Sequence, residues 1–203
     1  MTQTVTGLYD TYDAAVSAVN DLEAAGVPHS EISIVANNVD NRYDRDRTSH
    51  AGADAGTGAG IGAAVGGVGG LLTGLGLLAI PGVGPVVAAG WLVATAVGAV
   101  GGAVVGGAAG GLVGSLTGAG VPEHDANFYA EGVRRGGTLV TARVDDARAP
   151  AAREILQRHN WVDPAVRGAA YREGGWTGFD ANAPAYTADE IAAERRRYPG
   201  RDV

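Results

Sequence analysis

Side chains able to do chemistry are few and scattered in this chain of 203 residues. The four histidines, His29, His50, His124 and His159, show neither H-x-x-x-H nor H-E-x-x-H spacing, so a metal centre would need carboxylates converging from distant elements. The nearest cluster is Glu123-His124-Asp125. Adjacent helical residues point in different directions, and two acids there suit the positive end of a helix dipole better than a ligand set. Ser115 sits in Gly-Ser-Leu-Thr-Gly, which is not the G-x-S-x-G elbow of a nucleophilic serine. Gly58-Ala-Gly60 with Ala63, and Gly74-Leu-Gly76 with Ala79, match a loose G-x-G-x-x-A pattern. A dinucleotide site, however, needs a strand before that pattern and a helix opening at it. No catalytic, cofactor-binding or metal-binding residues are expected, and therefore no enzyme.

Composition removes further chemistries. There is no cysteine, so disulfides, thiolate catalysis and thiolate-bound zinc are excluded, and a reducing compartment is the natural setting. All 15 basic residues are arginine, and without lysine neither a Walker A phosphate loop nor Schiff-base chemistry can be built. A net charge of -7 argues against nucleic acid as a partner, because phosphate binding needs a basic surface. Arg134-Arg135 and the run Arg195–Arg197 are expected to lie on solvated helix faces. The amino-terminal MTQTVTGLYD has no basic stretch followed by an apolar run, so no cleavable signal peptide is expected.

The elements that would position these residues follow from periodicity. Thr4 to Leu8 alternates as a strand, and Asp10 and Thr11 can cap a helix from Tyr12 that carries Ala15, Val16, Val19 and Leu22 and stops at Gly26. Glu31 to Ala36 reads as a second strand. Residues 39–54 are polar and mixed in charge, as in a linker. Pro122 and Glu123 open a helix ending at Gly136-Gly137, Thr138 to Val144 is a third strand, Ala147 to His159 a helix, and Val162 to Tyr171 can supply a last strand. The expected fold class is α+β, a ferredoxin-like split β-α-β sandwich in two halves, residues 1–38 and 121–171. Residues 172–203 form a polar tail with one short helix, capped by Thr187 with Glu190 three residues on.

The insertion between the halves, residues 55–120, is of a different material. No ionisable side chain occurs between Asp54 and Glu123, and most of the 34 glycines fall between Gly52 and Gly120. Glycine recurs every fourth residue at Gly58, Gly62, Gly66, Gly70 and Gly74, and again at Gly98, Gly102, Gly106, Gly110, Gly114 and Gly118. Such rows let helix backbones approach closely. With Pro81-Gly-Val-Gly-Pro85 as the turn, the expectation is an antiparallel helical hairpin with arms of roughly 38 and 50 Å at 1.5 Å per residue. About twenty interior glycines would cost an isolated helix on the order of 10–20 kcal/mol, so the arms need a close-packed partner or a bilayer. Larger apolar residues gather at the turn, among them Leu75, Leu78, Ile80, Pro81, Pro85, Trp91 and Leu92, giving an apolar tip.

Three stretches resemble a known group. TGLYDTYDAAVSAVNDLEAAGVPHSEISIVANN at 6–38, LLAIPGVGPVVAAGWL at 77–92, and VPEHDANFYAEGVRRGGTLVTARVDD with AAREILQRH in the carboxy-terminal half are similar to bacterial general stress proteins with a YflT-like (general stress protein 17M-like) domain. The resemblance implies a stress response with an unassigned molecular activity, and brings no catalytic residues or cofactor. The functional expectation is a non-enzymatic stress protein that self-associates through the glycine rows and inserts or docks its hairpin at the cytoplasmic side of a membrane. A soluble cytoplasmic homo-oligomer or shell with hairpins packed in an apolar core, and a small-molecule sensor on the sheet, remain open alternatives.

Overall fold

The computed structural model describes residues 2–40, 76–92 and 111–198. Its centre is an antiparallel sheet of five strands in the order β1-β5-β2-β4-β3. These are β1 (Thr2–Tyr9), β2 (Ile32–Asn37), β3 (Gly76–Ile80), β4 (Gly84–Gly90) and β5 (Thr138–Asp145). The helices are α1 (Tyr12–Ala24), α2 (Leu112–Gly118), α3 (Glu123–Arg134), α4 (Ala149–Leu156), α5 (Pro164–Glu173) and α6 (Ala188–Arg197).

β5 pairs antiparallel with both β1 and β2, so those two strands run parallel with β5 between them and α1 crossing over. The expected split β-α-β connectivity is therefore present. Alternation of side chains divides the sheet into two apolar faces. On one face Val5, Tyr9, Ile32, Ile34, Val140 and Val144 pack against Ala15, Val19 and Leu22 of α1 and Ala152, Ile155 and Leu156 of α4. On the other, Leu8, Val35, Val86, Ala88 and Leu139 meet Leu112 and Leu116 of α2, Tyr129 and Val133 of α3, and Tyr171 of α5.

Two expectations for the fold are corrected. Residues 76–80 and 84–90 are strands, where the helical arms had been expected to meet, although Pro81 and the residues after it do make the turn. β-branched Val86 and Val87 suit a pleated strand, and β4 has a ready template in the edge of β2, pairing Asn37 with Val86 through Ser33 with Gly90. Gly90 takes a φ of 93°, and a Cβ there would collide with the Ile32 carbonyl oxygen, so only glycine lets the two backbones come this close. The second correction concerns Val162 to Tyr171. Asp163 accepts from the backbone N–H groups of Ala165 and Val166 and Pro164 occupies the first helical position, so α5 forms instead of a strand. Strand character survives only as an isolated bridge between Tyr9 and Trp161. Beside β1, where the fourth strand was expected, the described chain makes only the Tyr9–Trp161 bridge before α5 begins, while β4 and β3 extend the opposite edge.

Candidate functional site

Of the residues expected at the apolar tip, Leu78, Ile80 and Pro85 lie on strands of the sheet, Pro81 in the turn between them, and Trp91 and Leu92 directly after β4. Val83, Val86 and Val87 are fully buried, Leu92 is 1% and Trp91 9% exposed, and Leu78 and Ile80 are half-buried against the same cluster. Pro81 is exposed and Pro85 half-buried. Leu75 lies outside the described residues. The apolar partner of this segment is therefore the chain's own core, because pairing with β2 satisfies its backbone while burying alternate side chains.

Side chains from β2 and its flanks pin the points where the glycine-rich chain leaves. Ser33 Oγ donates to the Ala89 carbonyl at 2.6 Å and accepts from the Leu92 N–H at 3.3 Å. The Trp91 indole donates to the Glu31 carbonyl at 3.0 Å, under the guanidinium of Arg143, which itself bonds Glu31 Oε2 at 2.6 Å. At the earlier exit Asn37 donates to the Val133 carbonyl at 3.1 Å, Asn38 N–H bonds the Pro85 carbonyl at 2.9 Å, and Asp40 accepts from Arg195 at 2.9 Å. Of the glycine rows, Gly58, Gly62, Gly66, Gly70, Gly74, Gly98, Gly102, Gly106 and Gly110 lie outside the described residues. Gly114 and Gly118 fall on α2, where Gly118 is exposed and a Cβ would meet nothing within 4 Å.

The densest electrostatics lies under the carboxy-terminal tail, and it corrects the expectation of solvated arginines. Glu131, 1% exposed, accepts from Arg135 Nε at 2.6 Å and Arg134 Nη1 at 3.3 Å. Arg135 donates onward to Glu194 of α6 at 2.9 Å and lies 4.2 Å from the Tyr171 ring centre. Burial acts to lower the Arg135 pKa, but hydrogen bonds to Glu194 and Glu131 outweigh it and leave the guanidinium firmly charged. Arg167 forms a two-pronged pair with Asp10, both bonds 2.8 Å, and stacks 3.5 Å from the Tyr198 ring. Burial likewise pushes the Tyr171 phenol up, so it stays neutral. Arg196 and Arg197 are exposed, as expected for a solvated helix face, so the correction applies to Arg134, Arg135 and Arg195. Each of these cations faces a carboxylate and the phenol holds its proton, so the cluster clamps the tail.

The tail thus belongs to the domain. Ile191 of α6 is fully buried, Trp176, Phe179 and Tyr198 pack on the second core, and the expected capping box of Thr187 and Glu190 is present. The legible signal was Ile191 and Tyr198 one heptad apart on a capped helix. Gly82, at φ 73°, tucks the β3–β4 turn beneath Phe179, Asp180 and Ala181. The described histidines do not converge: His29 bonds Glu23, His159 bonds Asp21, and His124 contacts Asp125 on the first turn of α3. Among the described residues no three His, Cys, Asp or Glu side chains could hold a metal ion.

No curated protein and no solved structure matches the chain. A family model does match, that of the heat induced stress protein YflT domain, over residues 4–81. The match takes in β1 from Thr4, α1, β2 and β3 and ends at the turn. Over residues 4–81, then, the chain matches the model of the heat induced stress protein YflT domain, consistent with the resemblance seen at 6–38, while the resembling stretches of the carboxy-terminal half lie outside the match.

Proposed function

We propose that this is a non-enzymatic stress-response protein that self-associates through its two uncharged, glycine-rich segments, residues 55–75 and 93–110, with the α+β domain as the scaffold that fixes their ends. The stress-response assignment rests on the family. The observation carrying self-association is the combination of four-residue glycine spacing, complete absence of charge, and anchorage of both segments in one domain.

Chain length favours another copy over a bilayer as the partner. Leu92 and Leu112 share one core, and residues 93–110 number 18. A single crossing takes about 20 residues and ends on the far side, and a return takes about 40, so this segment is too short to cross and come back. No helix among the described residues is long and apolar enough to cross a membrane. Docking of the same segments at a membrane surface is the second reading, favoured by the uncharged run from Ala55 to Pro122.

Mass by light scattering after size exclusion, without detergent, tests the leading reading. A discrete oligomer is expected, and Gly106→Leu with Gly110→Leu should reduce it to monomer by filling the groove. A monomeric wild-type chain would sink self-association, and co-flotation with anionic liposomes by a monomer would favour the membrane reading instead.

A further inference from the structure

β1 is an edge strand among the described residues, and the place beside it where a fourth strand would lie is only partly filled. Its even-numbered residues turn their backbone groups outward: the Leu8 carbonyl accepts from Val162 N–H at 2.9 Å, and the Thr6 carbonyl is reached by the Tyr129 hydroxyl at 3.5 Å. Beyond Leu8 the edge opens into a cleft of about 280 Å³, lined among others by Thr4, Thr6, Asp125, Tyr129, Arg153 and Trp161. This is close to the lower end of the range for small-molecule sites, about 300 Å³.

The two walls carry opposite charge. Asp125 comes from α3 on one face of the sheet and Arg153 from α4 on the other. Arg153 donates to the neutral Gln3 amide at 2.7 Å and has no carboxylate partner among the described residues, unlike the arginines of the tail clamp. Between the walls, the outward N–H groups of Thr4 and Thr6 face the cleft, and the Thr6 hydroxyl is buried with no hydrogen-bond partner. Leu156, Val121 and the Trp161 indole supply apolar surface.

We propose that this cleft binds a free α-amino acid with an apolar or aromatic side chain. Its carboxylate would meet Arg153 and the edge N–H groups, its ammonium Asp125, and its side chain the indole and Leu156. A cation and an anion on facing walls match a zwitterion: among the described residues Arg153 holds only the neutral Gln3 amide, and Asp125 has beside it only the exposed imidazole of its neighbour His124. The site is independent of the glycine-rich segments, so its failure would leave self-association untouched.

Thermal-shift and calorimetric titration of the full chain with L-leucine, L-phenylalanine and L-tryptophan tests it, with the N-acetyl amino-acid amides as uncharged controls. Dose-dependent stabilisation by at least one free amino acid is expected, with no response to its blocked form. Arg153→Gln and Asp125→Asn should each weaken binding by about tenfold, since each removes one charge-assisted contact. Arg153 is exposed, so its variant should fold normally and melt with the wild type when no ligand is present. Absence of any response up to about 10 mM would overturn the proposal. Equal binding of free and blocked forms, or unchanged affinity in a folded Arg153→Gln, would overturn it as well.

Discussion

The two faces of the sheet are closed by different physics. Over one, α1 and α4 lay down an almost purely apolar layer from segments adjacent to the strands they cover. Over the other, the distant tail adds to α2, α3 and α5, among the described residues, a buried Ile191 and ion pairs linking Glu131, Arg135 and Glu194. Apolar burial is non-directional and tolerates small shifts, while a buried ion network is favourable only when every member is present. The second face, which also holds the ends of the glycine-rich segments, should therefore be the one that opens first.

Glu131→Ala attacks that difference most strongly. It removes the carboxylate that Arg134 and Arg135 share and leaves Arg135 with Glu194 alone, and a loss of about 3–5 kcal/mol is expected from breaking a buried pair. Chemical denaturation gives the magnitude, and hydrogen exchange tells where it falls: amides of residues 174–198 should exchange faster while those of α1 keep their protection. Equal loosening of α1 would show that the faces open as one unit and break the comparison.

Leu22→Ala is the counterpart on the first face. Leu22 is fully buried, and its truncation should cost about 2–5 kcal/mol as transfer and cavity terms combined. Because no charge is involved, this loss should not change with ionic strength, whereas the loss in Glu131→Ala should shrink as salt screens the two arginines. Identical salt dependence in the two variants would mean that the charge network is not what distinguishes the faces.

The same contrast explains how far the fold could be read from sequence. β1, α1, β2, β5 and α4 are set by local patterns, such as the Thr11 cap and the spacing of Ala15, Val19 and Leu22, and they form as expected. β3 and β4 were illegible because glycine at four-residue intervals mimics a helical row, while their strand state depends on the edge of β2, some fifty residues away. At Asp163-Pro164 a helix-start signal was present but outweighed by the apolar alternation after it. Glu131 stands three and four residues before Arg134 and Arg135 on the same helix, a pairing legible in the sequence, whereas Glu194 and Asp40, the partners of Arg135 and Arg195, are brought in by tertiary packing. The beginning of the tail helix, by contrast, was legible from Thr187 and Glu190 alone.

That helix start carries the smallest expected effect. Thr187 accepts from the Glu190 N–H at 3.3 Å, and the Glu190 carboxylate returns to the Thr187 N–H at 2.8 Å. These backbone and side-chain bonds to Thr187 hold the Glu190 pKa below the ordinary carboxylate range. A depressed folded-state pKa stabilises the helix above the unfolded value and loses that contribution as pH falls through the folded one. Thr187→Ala should cost about 1 kcal/mol at neutral pH, as helix N-caps do, and the penalty should narrow in acid once Glu190 is protonated in both proteins. If α6 folded independently of the domain, the loss would appear only as local fraying; a fall in the global midpoint would show that the tail and the second face unfold together. The latter is expected, because Ile191 packs on Gly136 in the turn between α3 and β5 and Glu194 pairs with Arg135 at the end of α3.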